Sequence, residues 1–232
     1  TTVWVRLSAS APVGVAAATI TNSILGSGSS FTNTPSLAGV VSGDVDDGLI
    51  AGWDFQTTVN GGTAAAASPN TPRVFIANFG SGTLYLNGAN GSSSWFVPES
   101  GNTGTELNAF AGTIVNTEGT DFSTEVVGPA ALAFINQTAN GKVAVFRFSM
   151  AGYESLNISL AAQRTASGFT EQLWEYSTDG ATWSSIGTLV GGAVSGTITA
   201  AFADSGVLEL PVVTGLDNAP DAWVRVTFTG AS

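Results

Sequence analysis

Apolar and polar residues alternate with a period of two along much of this chain. The clearest case is Ala222–Thr229, AWVRVTFT, where Ala222, Val224, Val226 and Phe228 share one parity and Trp223, Arg225, Thr227 and Thr229 the other. Successive side chains of a strand point to opposite faces, so the pattern predicts a strand with one buried face and one wet face. The block from Lys142 to Leu189 shows no helical period. It reads as four consecutive strands, Val143–Ser149, Leu156–Ala162, Gln172–Ser177 and Trp183–Leu189, separated by turn residues.

Shorter strands are expected at Val13–Ile20, Leu37–Val41, Leu49–Thr57, Val74–Asn78, Gly82–Leu86, Gly112–Asn116, Ala130–Phe134 and Gly206–Val212. The run Ala9–Asp47 is rich in small residues, but Pro12, Gly14 and the β-branched residues argue against a helix there. About ten strands, several at roughly 8–12-residue spacing, predict an all-β fold, an antiparallel β-sandwich of jelly-roll-like form. Residues 1–48 are expected to form an N-terminal arm and strand-rich extension, and residues 49–232 the sandwich domain. Thr1–Ser8, TTVWVRLS, alternates cleanly, with Val3, Val5 and Leu7 on one face and Thr2, Trp4 and Arg6 on the other.

Composition narrows the compartment and the partners. Apolar residues make up 44% of the 232, enough for a core, while charged residues are only 10%. Ala, Gly, Ser, Thr and Asn take the place of charge at the surface, as in many secreted β-proteins. The formal charge is −11, and Lys142 is the single lysine. A duplex binder neutralises phosphates with Lys and Arg, so no nucleic acid is expected as a partner. No apolar run approaches the roughly 20 residues of a membrane span, so no membrane insertion is expected. Without cysteine there are no disulfides to report on the compartment. The start at Thr1-Thr2 suggests a mature product freed of its signal peptide, or a cut boundary.

Three segments carry a family resemblance: GWDFQTTVNGGTAAAASPNTP (Gly52–Pro72), FGSGTLYLNGANGSSSW (Phe79–Trp95) and FRFSMAGYESLNISLAAQRTASGFTEQLWEYSTDGATW (Phe146–Trp183). Together they resemble a family of secreted bacterial β-sandwich domains, many of which carry surface-sorting tails of the PEP-CTERM type. The resemblance spans Leu49 to the end and implies the sandwich fold and export; it implies no catalytic residue. Family members continue past the equivalent of Val224–Ala231 into a further strand with an Asn-Asn-Arg-Leu-Asp-Asn-Ile-like core and then the tail. This chain stops at Ser232, and the absent strand implies an unpaired sheet edge or groove.

Candidate chemistry is sparse. With no histidine, a Ser-His-Asp arrangement and histidine-ligated metals are excluded. The scattered acids form no persuasive pair for acid–base work, so the chain is not expected to be an enzyme. Asp44, Asp46 and Asp47 in SGDVDDG are candidate calcium ligands, since calcium takes several carboxylate and carbonyl oxygens; a solvated acidic loop is the plainer reading. Asp217 and Asp221 form a weaker pair of the same kind. Ser177–Trp183, STDGATW, resembles a shortened Asp-box turn and suits a tight hairpin. Trp95, in a Ser/Gly-rich loop, and Trp174 with Tyr176, on one face of a strand, are candidates for carbohydrate stacking or subunit contact.

The expected function is that of a secreted structural subunit, extracellular or on the cell surface. It would assemble with copies of itself into a filament or surface layer through strand exchange by Val3, Trp4, Val5 and Leu7. The alternative is a carbohydrate-binding module that takes polysaccharide on exposed aromatics.

Overall fold

A computed structural model of the protein describes residues 14–19, 36–41, 49–53, 55, 73–77, 79–98, 103–113, 130–192 and 196–232. The chain divides into two compact units, Thr1–Gly48 and Leu49–Ser232. In the first, β1 (Gly14–Thr19) pairs antiparallel with β2 (Ser36–Val41), Gly14 opposite Val41 and Thr19 opposite Ser36. The arm residues Val3, Trp4, Val5 and Leu7 and the acidic run Asp44, Asp46 and Asp47 lie outside the described residues.

The second unit contains β3 (Ala51–Gly52), β4 (Val74–Ile76), β5 (Phe79–Gly80), β6 (Gly82–Tyr85), β7 (Leu107–Ala111), β8 (Ala130–Phe134) and β9 (Val143–Phe148). It continues with β10 (Ser159–Leu160), β11 (Glu171–Ser177), β12 (Ser184–Val190), β13 (Leu208–Glu209) and β14 (Ala222–Thr229). Helix among the described residues is confined to the single turn α1 (Phe202–Ser205) and a 3-10 turn at Gln137–Ala139. Six strands form one antiparallel sheet in the order β12-β11-β14-β9-β6-β4, and β3–β5, β7–β8 and β10–β13 form smaller antiparallel pairs. The fold is an all-β antiparallel sandwich, as the alternation predicts.

The last strand in sequence lies in the middle of the sheet. β14 has the most regular alternation in the chain, and it pairs with β11 on one side and β9 on the other. Its even-numbered residues, Ala222, Val224, Val226 and Phe228, enter the core, as the pattern predicts. Register carries that parity to the neighbours. Trp174 lies opposite Val226, Phe146 opposite Val224 and Leu84 opposite Phe146, so all four strands contribute to one apolar face. Leu107, Leu132 and Phe134 of the β7–β8 pair, together with Leu156, Leu210, Val213 and Leu216, close over that face.

Aromatic rings fill the space between the layers. Phe134 stacks on Phe228 with centroids 4.4 Å apart, and Trp95 meets both edge-on at 4.8 and 5.6 Å. A second group stacks Phe146 on Trp174 at 6.0 Å, with Trp53 edge-on to Phe146. Such offset and edge-on arrangements match the ring quadrupoles and add to plain area burial. The end of β14 is tied down by a side chain that imitates a strand. Asn140 Nδ2 donates to the Ala231 carbonyl and Asn140 Oδ1 accepts from the Ala231 amide, both at 2.9 Å.

Two expected strands are shorter than the pattern suggests. Leu156–Ala162 reduces to β10 at Ser159–Leu160, and Gly206–Val212 to β13 at Leu208–Glu209. Pro211 offers no amide to a ladder, and beyond it only an isolated Leu156–Val213 bridge resumes the pairing. In Leu49–Thr57 the described residues pair at Ala51–Gly52, and 54, 56 and 57 lie outside them. Of the stretch expected at Gly112–Asn116, residues 114–116 lie outside the described residues, and Gly112 and Thr113 follow β7, which occupies Leu107–Ala111 opposite β8.

Candidate functional site

The aromatic candidates lie in the core rather than on a binding surface. Trp95 has no exposed surface, and its indole Nε1 donates to the Val143 carbonyl at 3.0 Å. Its neighbour Phe96 takes the outward position, half exposed. Trp174 is only 5% exposed, and Tyr176 is half-buried and packed against the same core. The parity of β11 decides this, since Trp174 and Tyr176 share the row of Val226 and Val224 while Leu173 and Glu175 face outward. Neither tryptophan can stack on a sugar, which corrects the expectation for Trp95 and Trp174.

The outer face of the sheet holds a different constellation. Arg147 of β9 lies directly opposite Trp223 of β14, and its guanidinium carbon sits 4.5 Å from the centre of the indole ring. The same guanidinium grips Asp221 through two bonds, Nε to Oδ1 at 2.6 Å and Nη2 to Oδ2 at 2.7 Å. A second rung repeats the arrangement: Arg225 lies 4.2 Å over the Trp183 ring and donates to Glu175 Oε2 at 2.7 Å. Each arginine is thus clamped between an aromatic face and a carboxylate, a geometry suited to a planar guanidinium. The bonded Arg147 holds the Asp221 carboxyl below its usual value, and Asp221 in turn raises Arg147. Asp217 is engaged elsewhere, accepting from the Ser155 amide at 2.7 Å, so Asp217 and Asp221 do not form the acidic pair envisaged for calcium. Among the described residues no three acidic side chains converge to hold a metal ion.

The turn at Ser177–Trp183 supports the second rung. Asp179 Oδ1 accepts from the amides of Ala181 and Thr182 at 2.8 and 2.7 Å and from the Ser177 hydroxyl at 2.8 Å. These donors, the Thr182 and Ala181 amides foremost, hold the Asp179 carboxyl well below the usual carboxylate range. Gly180 has φ +69°, and a Cβ there would meet Trp223 Cε2 at 3.2 Å, so the turn needs glycine for conformation and for room. The motif is a structural hairpin that delivers Trp183 to Arg225.

Sequence reasoning passed over an ion pair whose carboxylate is buried. Glu106 is 4% exposed, and Lys142 Nζ donates to its Oε2. The same carboxylate accepts from the Phe96 amide at 2.6 Å and from the Thr138 hydroxyl at 3.1 Å. Lys142 also donates to the Ser94 carbonyl at 2.8 Å. The only lysine therefore pins the loop before β7 to the start of β9. Glu106 stands alone in a Gly/Thr-rich stretch, and nothing local in sequence marks it as buried.

Two further features stand out in the geometry. One is the pair of sheet edges. β4, at one end, has three residues. β12, at the other, has seven, SSIGTLV, without charge or proline. Its single irregularity is a bulge opposite Trp174/Glu175. The other is a shallow, open cleft of about 380 Å³ beside the Arg147–Asp221 pair. No helix among the described residues is long and apolar enough to cross a membrane. Comparison with family models, with curated proteins and with solved structures finds no match to this chain.

Proposed function

We propose that the chain is an extracellular structural subunit that assembles with copies of itself by adding a strand to the edge of β12. The observation that carries this reading is the composition of that edge. Among the described residues β12 pairs along its length only with β11, apart from a short contact in which the Ile198 amide donates to the Val190 carbonyl. Exposed edges are ordinarily blunted by lysine, proline, inward charge or shortness. β4 follows that rule, being three residues long and preceded by Pro72 and Arg73. β12 is longer, and its one protective device is the bulge.

The incoming strand in this reading is Thr1–Ser8, whose alternation offers Val3, Val5 and Leu7 on one face and Trp4 on the other. Ladder hydrogen bonds supply affinity in such additions, and side-chain pockets supply specificity. Surface dominated by Gly, Ser, Thr and Asn rather than charge supports an extracellular setting, and the reading assigns the chain no catalysis.

Electron microscopy and light scattering of the full chain test the proposal. Long polymers are expected from the wild type. Thr188→Lys, on the exposed edge, and deletion of Thr1–Ser8 are each expected to leave a folded monomer, and added TTVWVRLS peptide should cap the truncated chain. A wild type that never polymerises overturns the assembly reading. Polymers that persist in both variants overturn the edge and the arm as its means.

A further inference from the structure

We infer that the cleft beside Arg147 and Asp221 is a binding site for a neutral glycan chain, separate from the edge used in assembly. Ser81, Thr83 and Tyr85 contribute hydroxyls to its lining, and Ile76 contributes apolar surface. Four observations point to the class of ligand.

The first is charge. Arg147 and Asp221 pair bidentately and are 41% and 43% exposed, so the site presents polar atoms with no net charge. The chain as a whole carries −11, which repels polyanions. A neutral partner is favoured on both counts.

The second is the hydrogen-bonding capacity of the lining. The side-chain hydroxyls of Ser81 and Thr83 make no hydrogen bond among the described residues, although the Ser81 amide donates to the Ile50 carbonyl at 2.9 Å and fixes the turn. A hydroxyl both donates and accepts, and so matches a sugar hydroxyl in either sense.

The third is a rigid mount. The Arg147 guanidinium rests on Trp223 and is gripped by Asp221, so its orientation is set before a ligand arrives. The fourth is the apolar side. Ile76 is 45% exposed and points out from the sheet, where it can cover the C–H face of a sugar ring. An open cleft suits a segment within a polymer better than a small molecule, which is normally enclosed on most sides.

Native electrophoresis through gels containing a neutral glucan, a neutral xylan or a galactomannan tests this, with dextran sulfate as the polyanion arm. Retardation by at least one neutral polymer is expected. The double variant Ser81→Ala, Thr83→Val should bind about tenfold more weakly, the loss expected for two modest hydrogen bonds. Ile76→Asp should weaken binding independently. Both variants alter exposed or half-exposed positions, and an unchanged melting temperature shows that they are folded. Retardation by none of the neutral polymers, preference for dextran sulfate, or wild-type retardation of both variants overturns the inference. The parent chain in these gels carries Thr188→Lys, so that filaments too long to enter a gel do not mask binding, and the outcome is distinct from that of the assembly test.

Discussion

The two faces of the six-stranded sheet are built from the same strands, one residue out of phase, and they are held by different forces. On the inner face Phe228 stacks on Phe134 of the covering layer, and Phe146 stacks on Trp174 within the sheet. On the outer face Arg147, Arg225 and Glu175 remain partly wet, while Trp223 is buried beneath the Arg147 guanidinium. Burial of large apolar side chains stabilises each inner residue by several kcal/mol, whereas an ion pair near solvent contributes about 1 kcal/mol or less. The outer contacts nonetheless bridge particular strands. Arg225–Glu175 joins β14 to β11, and Arg147–Trp223 joins β14 to β9. The inner face therefore supplies most of the stability, and the outer face adds a preference for one register over a slipped one.

The largest effect expected from this contrast comes from paired tryptophan truncations. Trp95→Ala should cost roughly 3–5 kcal/mol in urea unfolding, because it empties a closed ring cluster. Trp183→Ala, on the outer face, should cost only about 1 kcal/mol, mainly its contact with Arg225. Equal losses would break the distinction between the faces.

Next comes the buried pair that lies outside both faces. Lys142→Met leaves the Glu106 carboxylate buried without its cation, and should cost roughly 3 kcal/mol. Adding Glu106→Gln to that variant should recover part of the loss, since the remaining amide can still meet Phe96 and Thr138. A double variant less stable than Lys142→Met alone would show that the charge of Glu106 is satisfied without Lys142.

The smallest effect concerns the Ser177–Trp183 turn. The folded chain lowers the Asp179 pKa, so ionised Asp179 stabilises the fold above the unfolded-state value of about 4. That contribution is lost as pH falls through the lower folded-state value. Asp179→Ala should therefore lower the melting temperature at neutral pH, and the gap from wild type should narrow as the medium becomes strongly acidic. A gap that stays constant down to the acid limit would mean that shape rather than charge holds the turn.

Much of the architecture is legible in the chain, and the contrast between faces explains where legibility stops. The β14 strand spans the residues expected, Ala222–Thr229, because its alternation is unbroken and both of its faces contrast strongly. Leu156–Ala162, expected as one of four clear strands, and Gly206–Val212 shrink to two-residue pairs, since polar residues and Pro211 leave little continuous ladder. The site residues fare worse. Trp174 and Tyr176 announce a face without announcing which one, and Trp95 looks loop-borne until its ring is seen between Phe134 and Phe228. Arg147 and Arg225 sit on the wet parity of clear strands, a signal that marks them as outward, but their partners lie 74 and 50 residues away.

From its sequence alone, this protein is determined to be all-β, to carry two opposed rows of side chains on each long strand, and to close a hairpin at Asp179–Gly180. These follow from local chemistry: the period of two, the branched and aromatic residues that favour it, and the turn residues between. Tertiary structure decides which row is buried, which carboxylate each arginine meets, that Glu106 receives the only lysine, and that, among the described residues, β12 rather than β14 lies at the end of the sheet. Those outcomes depend on register and on what covers each face, and both are set by contacts between residues far apart in the chain, which no local pattern encodes.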